Sequence, residues 1–340
     1  MSFDPNAAAQ PDSGVFGLPH SAEEARVVLI PVPFEATTSY GGGTVDGPKA
    51  ILEASKQVDL FDIETGTPYQ AGIHMLEEPT SVRAWNDEAR KLAQVVIEEG
   101  GANGDPMLEA NLEQVNALSE RMNAWVHAEA KKWISAGKLV GVVGGDHSTP
   151  FGNIQAHAEA HPGMGVLHLD AHADLRVAYE GFIWSHASIM HNVVERIPGV
   201  ARLVQVGIRD FCEEEHQQIV GSKGRIVTHF DALLAAEKQK GVTWAQQLAR
   251  IVEPLPKDVY LSFDIDGLDP VLCPHTGTPV PGGLSFHEAT ALVRAVCESG
   301  RRIVGFDLNE VAPGPDDEWD GNVGARLLYK MIGWALKSRG

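Results

Sequence analysis

The sequence predicts an α/β protein built on a parallel β-sheet. Short apolar runs alternate with longer segments of helical spacing, and a Gly- or Asp-rich turn separates each run from the segment that follows it. Continuous apolar runs are typical of strands covered on both faces, and their alternation with helices is typical of a parallel sheet. The runs occupy residues 27–30, 139–143, 165–169, 203–206, 259–263 and 303–306.

The clearest predicted helix spans residues 111–136, where apolar side chains recur every three or four positions before Gly137 ends the pattern. The Gly-rich stretch 100–106 predicts a loop rather than a domain linker, because the alternation resumes on both sides of it. Residues 1–24 lack periodicity, which predicts a loosely held N-terminal arm. Residues 25–340 are then expected to form one main domain.

The charge balance limits the possible partners. With 27 Lys and Arg against 46 Asp and Glu, the formal charge is −19. A surface this acidic disfavours nucleic acid and anionic membranes and favours small cations. The three cysteines lie far apart and form no C-x-x-C pair, so a disulfide framework is not expected. Since the sequence also shows neither a signal peptide nor an apolar stretch of about 18 residues, it predicts a soluble cytoplasmic protein.

Three polar clusters directly follow apolar runs, at residues 144–148, 170–174 and 264–267. In extended backbone, alternate side chains point to one face, so Asp170, His172 and Asp174 are expected to project together, as are Asp264 and Asp266. The carboxyl ends of parallel strands form one edge of the sheet, where ligands bind. A single such cluster is commonly a turn or a helix cap, but three in one chain indicate a common site.

Four aspartates and two histidines at one edge would repel one another without a cation. Such a set can fill two metal sites that share bridging carboxylates, and its mixture of nitrogen and oxygen donors suits Mn(II) while tolerating Ni(II), Co, Fe or Zn. Two ions about 3.5–4 Å apart lower the pKa of a bridging water and supply hydroxide near neutral pH. The residues therefore predict a two-metal hydrolytic centre.

The three motifs resemble the signatures of the ureohydrolases, the arginase and agmatinase family: GGDHS at 144–148, LDAHAD at 169–174 and SFDIDGLDP at 262–270. The resemblance runs from about Pro31 to Met331. It implies a single three-layer α/β/α domain with a parallel sheet of about eight strands, commonly assembled as homotrimers or homohexamers. Four further segments are closest to the agmatinase branch, namely 38–43, 47–51, 276–279 and 281–284.

The resemblance also implies roles for individual residues. His147 and Asp174 would bind one manganese ion and His172 and Asp266 the other, with Asp170 and Asp264 bridging both. A metal-bridging hydroxide would attack the carbon of a guanidino group and release urea and an amine, with Asp174 steadying the tetrahedral intermediate.

Two further residues match family positions. His186 matches the family histidine that moves protons or orients substrate, although agmatinases usually have Gly where this chain has Ala187. Glu310 matches the glutamate that pairs with the guanidinium, since a carboxylate accepts two parallel hydrogen bonds from that planar cation.

The loops around the predicted site bear on the substrate. Residues 176–184 are bulky and largely apolar. A free carboxylate has no evident cationic partner there other than Arg176, which disfavours L-arginine. Agmatine suits the acidic balance, with Glu180, Glu213 or Glu214 available to meet its ammonium. Tyr179, Phe182 and Trp184 could instead narrow the pocket for guanidine or a short guanidino acid such as 4-guanidinobutyrate.

Other interpretations remain open at this stage. The chain could be a catalytically silent metal-binding subunit of a mixed oligomer, or a deacetylase-like enzyme that uses one zinc. Asp146 could orient an imidazole or cap the following helix, and His275 could line the pocket, alter metal preference or make a loop contact. Gly41–Gly43 lacks the ending of a phosphate-binding loop, and nine other histidines, His168 among them, are predicted to be ordinary structural residues.

Overall fold

The computed structural model describes residues 3–10 and 12–340. Within these residues the chain forms one sheet of eight parallel strands in the order β2-β1-β3-β8-β7-β4-β5-β6. The strands are β1 Val27–Val32, β2 Ile73–Met75, β3 Leu139–Gly144, β4 Met164–Leu169, β5 Val200–Ile208, β6 Ile226–Phe230, β7 Asp258–Asp264 and β8 Arg302–Asn309. The predicted parallel α/β fold is confirmed.

Helices connect the strands. They are α1 Gly47–Ser55, α2 Thr80–Glu98, α3 Pro106–Ser135, α4 Phe151–Ala160, α5 Ile189–Arg196, α6 Glu213–Gly221, α7 Asp231–Gln239, α8 Trp244–Val252, α9 Phe286–Glu298 and α10 Trp319–Lys337. The predicted helix 111–136 corresponds to α3, which starts earlier because Asp105 caps it. The Asp105 carboxylate accepts hydrogen bonds from the backbone N–H groups of Met107 and Leu108 at 2.8 and 3.2 Å, and Pro106 occupies the first turn.

Both faces of the sheet are covered. In β1, Val27 and Leu29 pack into a core with residues of α1, α9 and α10, whereas Val28 and Ile30 pack on the other face with residues of α2 and α3. This alternation follows from the two-residue period of a strand, and it explains why the predicted runs are apolar without interruption. The arrangement is the expected three-layer α/β/α domain.

All six predicted strands form, and the two that were not predicted, β2 and β6, are the edge strands. β2 has only three residues, and most of β6 is half-buried. Edge strands are covered less completely, so their sequences lack the continuous apolar run that marks the central six. The stretch 100–106 connects α2 to α3 as the predicted loop.

Part of the predicted arm is packed on its own chain. Val15, Phe16 and Leu18 are buried in the core that contains α1 and α10, and the backbone N–H of Phe16 donates to the Ser55 hydroxyl at 2.8 Å. The prediction of a loosely held arm is therefore wrong for these residues. Residues 1, 2 and 11 of the predicted arm lie outside the described residues, and the boundary at residue 24 remains a prediction.

No helix in the described ranges is both long and apolar enough to span a bilayer.

Candidate active site

The chemistry-bearing residues follow four strands that are neighbours in the middle of the sheet, in the order β3-β8-β7-β4. His147 follows β3, Glu310 follows β8, Asp264 ends β7, and Asp170 follows β4. Parallel strands end at one edge, so residues far apart in the sequence meet there. All six predicted metal ligands lie in this cluster.

His147 lies at the centre of one half of the cluster and is almost completely buried. Its Nδ1 is 2.9 Å from Oδ2 of Asp170, 3.2 Å from Oδ2 of Asp174 and 3.3 Å from Oδ2 of Asp264. Three carboxylate oxygens therefore converge on one ring nitrogen. An ion among these atoms would find one nitrogen and several oxygen donors.

The other ring nitrogen of His147 fixes the tautomer. Nε2 is 3.0 Å from the Ser262 hydroxyl, and that hydroxyl donates its proton to Oδ1 of Asp307 at 3.0 Å. The hydroxyl oxygen must then accept from Nε2–H, so a neutral His147 turns the lone pair of Nδ1 toward the carboxylates. A ligating histidine held through its second nitrogen is the usual arrangement at protein metal sites.

His172 forms the second half of the cluster. Its Nδ1 is 3.1 Å from Oδ2 of Asp266 and 3.4 Å from Oδ1 of Asp170. Asp170 therefore lies between the two halves, with Oδ2 beside His147 and Oδ1 beside His172. Potential ligand atoms within 4.8 Å of one another form two groups that share Asp170, one containing His147 and Asp174 and the other containing His172 and Asp266.

The backbone positions these carboxylates differently from the expected extended geometry. β4 ends at Leu169, and Asp174 reaches the cluster because its backbone is left-handed, with φ 53°. Glu310 is also left-handed, with φ 63°. Non-glycine residues in this region are uncommon and concentrate at functional sites. At residue 267 a close approach requires glycine, since a Cβ there would lie 2.7 Å from the backbone nitrogen of Asp170.

Burial and mutual charge shift the titration of the cluster strongly. Burial disfavours charge on His147, but hydrogen bonds that its ring donates to Asp170, Asp174 and Asp264 outweigh burial and hold the pKa of His147 well above its usual value. Burial, assisted by the charge of Asp170, raises the pKa of Asp174 to about 8. So many acidic groups cannot all be ionised together without added positive charge.

Glu310 contributes a buried carboxylate with one free oxygen. Its Oε1 accepts from the backbone N–H of His147 at 2.9 Å, while Oε2 is buried without a hydrogen-bond partner. Burial, together with the charge of Asp146, raises the pKa of Glu310 well above its usual range. A buried acceptor without a partner is costly, so this oxygen is available to a cationic ligand.

A narrow cleft adjoins the cluster, with Glu310 and His186 in its wall. The backbone N–H of Gly41 donates to the carbonyl of Gly277 at 3.0 Å, which joins the two loops on either side. The remaining lining residues are Thr38, Ser39, Tyr40 and Thr278. Desolvation, and then the positive charges of His172 and His147, lower the pKa of His186 to about 4, so its imidazole is neutral near pH 7.

Three predicted substrate contacts lie elsewhere. Tyr179 and Glu180 belong to a tight hairpin between Tyr179 and Phe182, and the Tyr179 ring is 6.2 Å from that of His186. Trp184 is buried, with its ring 4.9 Å from Phe151. None of the three lines the cleft, and their roles in binding substrate remain predictions.

Two residues with several predicted roles make local contacts. Oδ1 of Asp146 accepts from the backbone N–H and the hydroxyl of Ser148 in a turn before α4, whose own N-cap position is Pro150. His275 donates its backbone N–H to Asp320 at 3.0 Å and places Nδ1 2.8 Å from the same carboxylate. His275 thus ties its loop to the first turn of α10.

One cluster member was missed in the sequence. His168, on β4, has its Nε2 2.8 Å from Oδ2 of Asp170 and belongs to the group that contains His147. It was predicted to be an ordinary structural histidine. The available signal was its spacing, because a strand residue two positions before Asp170 lies on the same face. Ser262 stands two residues before Asp264 in the same way.

The chain resembles characterised proteins over most of its length. Residues 25–333 match the family model described as Arginase family. The N(1)-aminopropylagmatine ureohydrolase of Thermus thermophilus is 34% identical over 92% of this chain and 90% of its own. The agmatinase of Bacillus anthracis is 29% identical over 92% of this chain and 93% of its own. The structure of proclavaminate amidinohydrolase from Streptomyces clavuligerus superposes with a TM-score of 0.72 at 25% identity, covering 98% of this chain and all of that one.

Proposed function

We propose that this chain, which belongs to the arginase family, is a metal-dependent amidinohydrolase. It cleaves a cationic guanidino compound to urea and an amine. The observation that carries the proposal is the convergence of two histidines, four aspartates and Glu310 at the ends of four adjacent strands. A buried acidic cluster of this kind has no evident structural purpose without cations. The free oxygen of Glu310 supplies the contact to substrate.

The donor set fits two divalent ions. His147 and Asp174 would hold one ion, His172 and Asp266 the other, and Asp170 and Asp264 would contact both. Mixed imidazole and carboxylate ligands suit Mn(II), with Ni(II) as the alternative. When bound, a pair of such ions lowers the pKa of water and so provides hydroxide near neutral pH.

The chain's own residues orient the guanidinium. Oε1 of Glu310 accepts from the backbone N–H of His147, which leaves Oε2 free to accept hydrogen bonds from the guanidinium. The negative charge pairs with the cation, and the planar carboxylate fixes the plane of the guanidinium over the cluster. Because Glu310 is anchored to the residue that also provides a ligand, the substrate carbon and the cluster keep a fixed relation.

His186 handles the proton that the departing amine needs. It shares the cleft wall with Glu310 and is neutral near pH 7. A neutral imidazole can accept a proton at one nitrogen and release one from the other, which suits transfer to a leaving amine.

The lining of the cleft favours a cationic substrate that carries no carboxylate. Among the described residues that form it, Glu310 is acidic and none is Lys or Arg, so a carboxylate tail finds no cationic partner there. This disfavours arginine and 4-guanidinobutyrate. An agmatine-like cation is the principal candidate. Free guanidine is the second, because the cleft is narrow.

The catalytically silent subunit is the alternative of another class. A silent relative is expected to have lost a ligand or the guanidinium acid, whereas in this chain the six proposed ligands and Glu310 are all present and lie close together. The proposed enzyme acts as a homotrimer or homohexamer in the cytoplasm. Light scattering of the purified chain gives the assembly size.

The decisive test measures urea from the full-length protein loaded with Mn²⁺ or Ni²⁺. The substrates are agmatine, N(1)-aminopropylagmatine, guanidine, 4-guanidinobutyrate and arginine, with Glu159→Gln as a control for a remote surface carboxylate. We expect urea from guanidine or from a compound with a cationic tail, such as agmatine or N(1)-aminopropylagmatine. Elemental analysis should give two ions per chain. Urea from none of the five would overturn the hydrolase and leave the silent subunit, and one tightly bound zinc per chain would favour a deacetylase-like enzyme.

A further inference from the structure

A buried chain of hydrogen bonds runs from the edge of the sheet to Asp170. The hydroxyl of Thr228 on β6 donates to Oε1 of Gln205 on β5 at 2.9 Å. Nε2 of Gln205 lies 3.1 Å from Nδ1 of His168, and Nε2 of His168 lies 2.8 Å from Oδ2 of Asp170. His168 and Gln205 are both fully buried.

The partners of Gln205 determine which of its side-chain atoms is the amide nitrogen. Its Nε2 also lies 2.7 Å from the carbonyl oxygen of Ala173. A carbonyl oxygen only accepts, so the atom facing it must be the NH₂ group. The other proton of this NH₂ group then points to His168, and Nδ1 of His168 must accept the hydrogen bond.

The tautomer of His168 follows directly. With Nδ1 as an acceptor, the proton of the neutral ring is on Nε2, and Nε2–H donates to Oδ2 of Asp170. The lone pair that a metal ion would need at Nε2 is therefore absent. His168 lies close enough to the cluster to be mistaken for a ligand, but its hydrogen bonds give it a different role.

We propose that His168, locked by Gln205, is a positioning residue that holds the bridging carboxylate of Asp170 in the orientation needed to bind two ions. The proposal rests on the metal centre proposed above. Oδ2 of Asp170 lies beside Nδ1 of His147 and Oδ1 lies beside Nδ1 of His172, so rotation of the carboxylate would withdraw it from one of the two sites. One lone pair of Oδ2 accepts from His168 and the other remains for an ion.

Loss of the donor should weaken the pairing of the ions more than the fold. Hydrogen-bonded partners of metal ligands typically contribute 10- to 100-fold in metal affinity. We therefore expect the second Mn²⁺ to bind about 10- to 100-fold more weakly when the donor is removed.

The test uses a matched pair of variants of the full chain, His168→Met and His168→Gln. The two new side chains have similar lengths, but only glutamine has an N–H that can reach Asp170. Mn²⁺ affinity and stoichiometry are measured by competition with a chelator, and the electron paramagnetic resonance spectrum reports the coupling of paired Mn²⁺ ions. We expect His168→Met to lose the coupled spectrum and the second ion, and His168→Gln to retain both.

Equal affinities and coupled spectra in wild type and His168→Met would overturn the inference alone. Failure of His168→Gln to restore what His168→Met loses would also overturn the inference, because an N–H donor to Asp170 would then not account for the loss. A wild-type protein that binds no divalent ion would overturn the proposed centre as well. Nitrogen NMR of the wild-type histidines tests the tautomer even if a variant fails to fold, and a proton on Nδ1 of His168 would refute the lock.

Discussion

Replacement of Glu310 by Gln should raise stability while it lowers activity. In the wild type, Oε1 of Glu310 accepts a hydrogen bond from the backbone N–H of His147 at 2.9 Å. The two side chains have nearly the same shape, so the amide oxygen of the glutamine can accept the same hydrogen bond. The amide NH₂ then stands where Oε2 lies buried without a partner. The change removes the negative charge and places a donor toward the guanidinium.

The activity loss can be sized from the contact. A charge-assisted pair that is replaced by donor facing donor loses about 3–4 kcal/mol, since the hydrogen bonds of a charged group are the strong ones and lost preorganised contacts cost this much in other enzymes. That corresponds to a fall of about 10²–10³-fold in kcat/KM.

The stability gain has a defined pH dependence. Burial raises the pKa of Glu310 well above its usual range, so the ionised carboxyl favours the unfolded chain, and this penalty grows as pH rises above about 4.5. The glutamine variant has no such penalty. In chelator-treated protein its free energy of unfolding should match wild type near pH 4 and exceed it by about 1–3 kcal/mol at pH 7.5.

The assays are urea release from the best substrate of the panel and urea denaturation at both pH values. Glu159→Gln, on the surface beside His127 and Lys131, serves as the matched control and should leave kcat/KM unchanged. A Glu310→Gln enzyme within threefold of wild type, or a stability difference that does not change with pH, would refute the reasoning.

Three further outcomes are expected. Burial lowers the pKa of His157 to about 4, so acid protonates this group in the unfolded chain before it does so in the folded one. The free energy of unfolding of the wild type should therefore fall by about 3 kcal/mol between pH 6.5 and pH 4 because of His157. Denaturation curves of His157→Phe should lack this loss. Arg209 donates to the carbonyls of Gly207, Asp266, Leu268 and Val280, so Arg209→Lys should lower the free energy of unfolding by about 2–4 kcal/mol, and an unchanged denaturation midpoint would contradict this. Removal of divalent ions by chelation should lower the melting temperature of the protein. Re-addition of Mn²⁺ should raise the melting temperature again, in proportion to the logarithm of the Mn²⁺ concentration.

The sequence was informative where burial is complete. The six central strands are covered on both faces, so their apolar runs are unbroken, whereas β2 and β6 at the edges have no such signal. The N-terminal residues Val15 and Phe16 were missed as core because they lie in a short irregular segment without periodicity. Burial of such a segment depends on the surface that the rest of the chain offers.

The site was predictable as a set of residue types but not in its geometry. Motifs identify Asp174 as a member of the cluster, yet they do not reveal that a left-handed backbone brings it there. His168 has no polar neighbour pattern of its own, and its role depends on Gln205 from another strand. The bulk of Trp184 suggested a pocket wall, whereas the structure uses that bulk for packing against Phe151.

The strand order has a consequence for synthesis of the protein. β3 and β4 are consecutive in the chain, but β8 and β7 lie between them in the sheet. A nascent chain that has not yet reached β7 and β8 lacks two central strands of the sheet, and with them Asp264 and Glu310. Domains generally fold as units, so the cluster can form only after both strands have been made. A truncated product that stops before β8 therefore cannot form the complete cluster, because it lacks Glu310.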